Sequence, residues 1–324
     1  MNTEAKLKEN VEEISSAIKS GSLDARSAHG KLESAILEYS LEGYTDNEHV
    51  IPGEEWGRLI THYTSIHTLI SVLQSASRDE KNFLRMYDSA HSNDPGEGNF
   101  LTRDLAQEHV SLLGCHAYIA SFVLSNDEEG EGKNNLAFWR TYGKDGEGCS
   151  LSLPASHLRE NLRKVRYGSE LVENFENRLK SLFSNKHAEV NSVMEKIKEI
   201  YPDVHVNILK TIGDHIGKIR YLYKSGAYEY ENECRLVLLE SEIDSDDVRF
   251  EWPDKNDDPV RIRHYYEHEA LEIKNILNTT DSEIVIGPCV PHPHDVKYCI
   301  EMLLEKSKLK APRVTVSKIE YRKP

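Results

Sequence analysis

Two glutamates, Glu231 and Glu233, stand directly before a strand-like apolar run, Leu236 to Leu239. Side chains two positions apart on an extended backbone point to the same side, so the pair is expected to share one strand face. Arg235 would lie on that face as a neutralising neighbour. Carboxylates placed in this way are typical either of a site or of a charged sheet edge, and the pattern alone leaves both interpretations open.

Short strands separated by helical segments predict an α+β fold with a mixed or antiparallel sheet core. We expect an N-terminal helical hairpin over residues 1–50 and a catalytic-like α+β domain over 56–324, with a helical insertion at 169–223. The predicted strands are 58–63, 83–87, 117–124, 149–153, 165–168, 235–240, 248–252, 284–287 and 314–319. The predicted helices outside the insertion are 2–20, 23–39, a helix capped by Ser65, 101–113, 136–142 and 293–306.

Charge and hydropathy restrict the classes of partner. The 324 residues carry a formal net charge of -15, which disfavours an anionic membrane or nucleic acid, although a focused basic groove would reverse that expectation for nucleic acid. No apolar run approaches the ~20 residues of a transmembrane helix, and the polar first ten residues do not resemble a secretion signal. A cytoplasmic protein without a membrane segment is predicted.

Cysteines and histidines do not form a metal-binding pattern. The five cysteines are scattered, without a Cys-x-x-Cys pair, so neither a zinc ribbon nor a disulfide framework is indicated. His292 and His294 lie in a proline-rich loop without an obvious third ligand. No metal is predicted.

Several polar and aromatic residues occupy positions typical of a cleft. His62 lies between a predicted strand and a helix, where its ring could bind a ligand or be satisfied by backbone. Ser121 interrupts an apolar strand, and its hydroxyl must face a cavity or bond a neighbouring strand. Trp139 and Tyr142 share a helix face, as stacking partners or as core.

The loop after the second predicted strand is a candidate substrate loop. Asn93 and Asp94 precede a proline, and this arrangement is also typical of an ordinary turn. A turn explains the presence of Glu97 less well. The glycine-containing stretch 144–148 lacks the spacing of a phosphate-binding loop.

Taken in order, six motifs resemble the bacterial domain-of-unknown-function family numbered 2971, over roughly Leu59 to Arg322. They are His62-Tyr63-Thr64-Ser65, Asn93-Asp94-Pro95 with Glu97, Ser121-Phe122, Trp139-x-x-Tyr142 with Gly148, Glu231-x-Glu233-x-Arg235 and Ile286-Gly287-Pro288.

A more remote resemblance is to the ADP-ribosyltransferase fold, whose enzymes carry a His or Arg, then a Ser or Tyr, then a Glu that often stands in a Glu-x-Glu pair. His62, Ser121 and Glu233 occur in that order, and His62-Tyr63-Thr64 is similar to the His-Gly-Thr start of some of these transferases. Tyr63 replaces the glycine, and no Ser-Thr-Ser triplet surrounds Ser121.

The resemblance implies an NAD-dependent ADP-ribosyltransferase-like enzyme, such as a bacterial toxin or defence effector. Its acceptor is left open between a protein, a small molecule and, less favoured, a nucleic acid. His62 would be both catalytic and NAD-binding, Glu233 would bond the ribose 2′-hydroxyl and Glu231 would orient the acceptor. The other implied contacts to NAD are Thr64, Ser121, Trp139, Tyr142 and Arg235. The alternatives are NAD or nucleotide hydrolysis in the same cleft and a non-catalytic nucleotide sensor or protein-interaction module.

Overall fold

A computed structural model describes most of the chain outside the predicted insertion. The described residues are 3–23, 25–40, 50–78, 81–91, 116–125, 134–168, 217–251, 262–279, 281–309 and 312–321, with a few isolated positions between 169 and 216. Within them the chain is a mixed α+β protein whose central sheet is mostly antiparallel, and this much of the predicted fold class is confirmed.

The first two helices form the predicted hairpin. Helix α1 (Thr3–Ser20) and helix α2 (Ala25–Ser40) pack against each other. Leu7 of α1 and Leu32 of α2 are almost completely buried, as their helical spacing predicts. Ion pairs that join the two helices at their exposed surfaces are Lys6–Glu38 and Lys31–Glu13.

Ten strands form the main sheet in the described part of the chain, and two more form a small parallel pair. The ten are β1 (Leu59–Ser65), β2 (Met86–Asp88), β3 (Ala117–Leu124), β4 (Gly148–Pro154), β5 (Arg163–Lys164), β8 (Glu233–Leu239), β9 (Arg249–Glu251), β10 (Arg263–Tyr266), β11 (Glu283–Ile286) and β12 (Arg313–Val316). The small pair is β6 (Arg166–Tyr167) and β7 (Tyr223–Lys224).

The main sheet forks at β3. Strand β8 pairs with one edge of β3 along its length. The opposite edge of β3 is shared, because β1 pairs with its last residues, Val123 and Leu124, whereas β2 pairs near its start, at Tyr118 and Ile119. No described strand covers Ser121 on that edge, so β1 and β2 diverge around a gap. Strands β4, β11 and β12 continue from β1, whereas β10 and β9 continue from β2.

The two faces of the sheet differ in their packing. On β3, Tyr118, Ala120 and Phe122 belong to the main core, whereas Ser121 between them is exposed. We call these the core face and the cleft face. Helix α3 (Ile66–Ala76), helix α5 (Ile273–Leu277) and helix α6 (Pro293–Lys306) supply buried residues to the main core. Near the fork, helix α4 (Leu136–Thr141) packs on the cleft face through Phe138 and Trp139.

A glycine-rich turn ties the ends of three strands together. The turn over residues 143–148 receives hydrogen bonds from two backbone amides, Gly287 to the Gly148 carbonyl and Cys289 to the Gly146 carbonyl, each at 2.9 Å. A Cβ on Gly148 would lie 2.4 Å from the Thr64 carbonyl oxygen. These backbones approach so closely that side chains have no room, which explains why glycine stands at these positions.

Most predicted elements near the site are confirmed, with shifts of a few residues at their ends. The Ser65 hydroxyl accepts a hydrogen bond from the Thr68 amide at 2.9 Å and so caps α3, as predicted. Strand β10 and helix α5 were not predicted. The predicted helix 101–113 and nearly all of the insertion lie outside the described residues, and Tyr223 at the insertion's end belongs to β7 instead.

Candidate functional site

A cleft of about 440 Å³ opens on the cleft face beside the fork in the sheet. Its size lies within the range of small-molecule sites. The polar and ionisable residues that line it are Thr61, His62, Tyr63, Arg85, Tyr87, Asp88, Ser89, Ser121, Thr141, Tyr142, Lys224, Tyr228, Tyr230, Glu231, Glu233, Arg235 and Arg263.

The two glutamates lie together in this cleft, but they do not share a strand. Glu231 ends a 3₁₀ helix, Asn232 turns the chain in the left-handed conformation with φ 40°, and Glu233 begins β8. The prediction of one strand face for both carboxylates is therefore wrong, because the backbone is not extended between them. Glu233 and Arg235 do share a face, and they stand opposite Val123 and Ser121 of β3.

Lys224 and Arg235 neutralise the two carboxylates in a buried network. Arg235 donates through Nε to Glu233 Oε1 at 2.7 Å and through Nη2 to Oε2 at 3.0 Å. The Lys224 Nζ atom lies 2.7 Å from Glu233 and 2.9 Å from Glu231. The Tyr142 hydroxyl donates to Glu231. Every charged member is at least 92% buried, which excludes the alternative of a solvated sheet edge.

The network keeps Glu233 ionised. Burial alone raises the pKa of this carboxyl, but the charges of Arg235 and Lys224 and the hydrogen bonds that they donate prevail, and the pKa falls to about 2. Burial, and then the hydrogen bond to the Glu231 carboxylate, raise the pKa of Tyr142, which therefore stays a protonated donor. The cleft thus holds a fixed negative charge beside a phenolic hydroxyl.

His62 closes the base of the fork. Its Nδ1 atom lies 3.1 Å from the Ser121 carbonyl oxygen, and because a carbonyl only accepts, Nδ1 carries the proton. Burial lowers the pKa of His62, although the hydrogen bond to Ser121 opposes this effect. The ring is consequently neutral at pH 7, and its Nε2 atom is an acceptor for a hydroxyl or amide of a ligand.

The β2–β10 end of the cleft carries arginines and tyrosines. Arg85 Nη1 donates to Glu251 at 2.6 Å, and the Tyr87 hydroxyl donates to the other carboxylate oxygen at 3.0 Å. The Arg85 guanidinium also lies 4.2 Å from the centre of the Tyr265 ring. Arg263 lines the same end of the cleft.

The cleft contains only part of the predicted set. Thr64 does not line it, although it shares a strand face with His62 on β1. Trp139 is fully buried, with its Nε1 atom 2.9 Å from Asn134 and its ring edge-on to Tyr63, so it cannot stack on a ligand. The candidate loop residues Asn93, Asp94 and Glu97 lie outside the described residues.

Lys224, Arg85 and Arg263 line the cleft but were not predicted. No short motif marks Lys224. It ends β7, and the 3₁₀ helix between β7 and β8 brings Glu231 and Glu233 back to its side chain. The run Arg263-His264-Tyr265-Tyr266 has the aromatic content of a strand, and this signal could have located β10.

The depressed pKa of Glu233 predicts a loss of stability in acid. Because the usual pKa of 4.5 holds in the unfolded chain, that chain binds more protons between about pH 4.5 and pH 2, and stability falls as the pH falls. We expect Glu233 to contribute about 3 kcal/mol to this loss. Urea unfolding at pH 6 and pH 3 should show about 2 kcal/mol of this loss, because pH 3 still lies above the folded pKa, and Glu233→Gln is the control that lacks this titration. Equal pH dependence in the two proteins would contradict the assignment.

The described part of the chain contains no group of three or more side chains that could ligate a metal ion. None of its helices combines the length and the apolar character of a membrane span.

One segment of the chain matches the model of a known protein family. No curated protein and no solved structure matches the chain. A family model matches residues 138–236, which run from α4 into β8 and include the Trp139–Gly148 and Glu231–Arg235 motifs. The matched segment is shorter than the resemblance from Leu59 to Arg322 indicated. Through this segment, which carries both glutamates and Lys224, the chain is similar to the family described as protein of unknown function (DUF2971).

Proposed function

We propose that the chain is an ADP-ribosyltransferase-like enzyme that breaks the nicotinamide–ribose bond of NAD in this cleft. The observation that carries the proposal is the buried and ionised Glu233, held by two cations across β3 from the gap in the sheet. A fixed carboxylate can stabilise positive charge that develops on a sugar ring, and a backbone edge can hold a planar amide.

The reaction requires few groups from the protein. The bond between ribose C1′ and the nicotinamide nitrogen breaks, its electron pair leaves with neutral nicotinamide, and positive charge spreads over C1′ and the ring oxygen. Glu233 would accept a hydrogen bond from the ribose 2′-hydroxyl, and this interaction strengthens as the charge develops. A nucleophile with a proton to lose then bonds to C1′.

The remaining residues would orient the reactants. Ser121 presents its backbone N–H on the edge of β3 that faces the gap, where it would donate to the nicotinamide carboxamide oxygen. The neutral His62 ring would accept at Nε2 from a ribose hydroxyl. Glu231, which accepts from Tyr142 and Lys224, has carboxylate lone pairs that would orient the incoming nucleophile.

Nicotinamide release from NAD tests the proposal. We expect Glu233→Gln to lower the rate at least ~100-fold, the effect of removing one fixed electrostatic group. Glu240→Gln, the same change at the exposed residue that directly follows β8, is the matched control and should leave the rate unchanged. Circular dichroism and NAD calorimetry establish that each variant folds and binds. A fully active Glu233→Gln protein would contradict the role proposed for Glu233.

The products distinguish transfer from hydrolysis. Mass spectrometry of ADP-ribose attached to a macromolecule would support transfer, whereas free ADP-ribose alone would support hydrolysis by the same groups. NAD binding without turnover would instead support a non-catalytic nucleotide sensor.

A further inference from the structure

The side chains that line the β2–β10 end of the cleft include more basic than acidic groups, although the protein as a whole is acidic. The chain has a formal net charge of -15, yet the residues lining this end include Arg85 and Arg263, with Asp88 as the acidic one. Asp88 is buried and already accepts from the Ala90 amide and lies 3.2 Å from His116 Nδ1. An arginine pair beside an occupied carboxylate favours an anionic ligand group.

Arg85 is held in place before any ligand arrives. Its Nη1 atom is fixed by Glu251, and its guanidinium lies over the Tyr265 ring at 4.2 Å. Tyr87 donates to the other oxygen of Glu251, so the carboxylate itself is oriented. A guanidinium has five N–H donors, and this arrangement leaves donors for a ligand at little further cost in side-chain entropy.

Arg263 is exposed and lines the cleft. It lies on β10, in register with Glu251 of β9. Among the described residues no carboxylate forms an ion pair with its guanidinium, although Glu251 is its cross-strand neighbour. Glu251 already binds Arg85 and Tyr87. Of the two arginines that line this end, Arg263 is therefore the one without an ion pair in the described part of the chain.

The two ends of the cleft are too far apart for a single ring of a ligand to contact both. Strands β8, β3, β2 and β10 are successive neighbours, and three spacings of ~4.8 Å place β10 about 14 Å from β8. A ligand that contacts both Glu233 and Arg263 must be extended and must carry negative charge at its far end. A nucleoside diphosphate attached through a ribose meets both conditions.

We propose that Arg263 and Arg85 form a phosphate-binding subsite that takes the diphosphate of a nucleotide whose ribose lies at Glu233. The inference rests on the proposed function for the identity of the ribose end. The subsite itself requires only that a nucleoside diphosphate binds in the cleft through these two arginines.

Calorimetry with ADP-ribose and adenosine tests the subsite. Neither probe carries nicotinamide, so binding is measured without the proposed reaction. We expect Arg263→Gln to weaken ADP-ribose binding about tenfold or more, as for a lost hydrogen bond between charged groups, and to leave adenosine binding unchanged. Arg263→Lys should give a smaller loss because it keeps the charge but not the planar fork. Arg249→Gln is the matched control, on the adjacent strand β9 and outside the cleft lining.

The outcomes separate this inference from the enzymatic proposal. Equal ADP-ribose affinity in Arg263→Gln and wild type, or no binding by the wild type, would overturn the subsite even if nicotinamide is released. An equal loss in Arg249→Gln would also overturn it, since it would indicate general charge attraction. Loss in Arg263→Gln alone, in a protein that releases no nicotinamide, would support the subsite and reject the enzyme.

Discussion

Gly287→Ala is expected to lower the free energy of unfolding by about 3 kcal/mol or more. A Cβ at this position would lie 2.3 Å from the Gly146 carbonyl oxygen and 2.8 Å from that of Gly148. Both atoms belong to the backbone of the turn, so no side chain can rotate away. Moving the turn would also strain the 2.9 Å hydrogen bond that the Gly287 amide donates to Gly148.

Thermal and urea unfolding of two alanine variants measure the effect. Gly53→Ala is the matched control, because a Cβ there would have no atom within 4 Å, and it should change stability by less than about 0.5 kcal/mol. If Gly287→Ala were equally neutral, the close contact between the turn and β11 would be incorrect.

Arg235→Met is expected to cost about 3–5 kcal/mol, the loss that follows when one partner of a buried ion pair is removed. The guanidinium is 99% buried and makes both hydrogen bonds to Glu233 described above, and it also donates to the Tyr221 carbonyl at 2.6 Å. Without it, the network of Lys224, Glu231 and Glu233 has a net negative charge in the protein interior.

A double-mutant cycle separates charge imbalance from lost packing. Adding Glu233→Gln to Arg235→Met restores the charge balance, so the double variant should be more stable than Arg235→Met alone. Chemical unfolding at pH 7 of the four proteins gives the coupling energy. Strictly additive effects would contradict a direct ion pair, and we would then assign the cost of Arg235→Met to packing and the Tyr221 contact.

Strand positions are predicted most accurately from the sequence where side chains alternate between an apolar core and a cleft. Strand β3 is predicted to its end residues, since Tyr118, Ala120 and Phe122 alternate with residues of the other face. The same alternation correctly places Glu233 and Arg235 together. It fails for Glu231, because Asn232 adopts a left-handed conformation that a two-residue period does not reveal.

Contacts between residues distant in the chain limit what can be predicted of the site. Tyr142 meets Glu231 across 89 positions, and Arg85 meets Glu251 across 166. Neither pair has a local pattern, because each depends on how strands order themselves in the sheet. Trp139 shows the converse case, in which helical spacing to Tyr142 predicts a shared surface but tertiary packing buries one ring and leaves the other in the cleft.

The fork in the sheet means that the main chain of β1, β2 and β3 sets the outline of the cleft. Its opening exists because β1 stops pairing with β3 after Thr61 and β2 stops near Ile119. Point substitutions that leave the backbone pairing intact change neither strand length nor register, so they can alter the chemistry of the cleft without closing it. An insertion or deletion of one residue within β3 would instead turn its cleft-face side chains toward the core. The shape of this site is therefore most sensitive to the lengths of its strands, and its chemistry to their sequences.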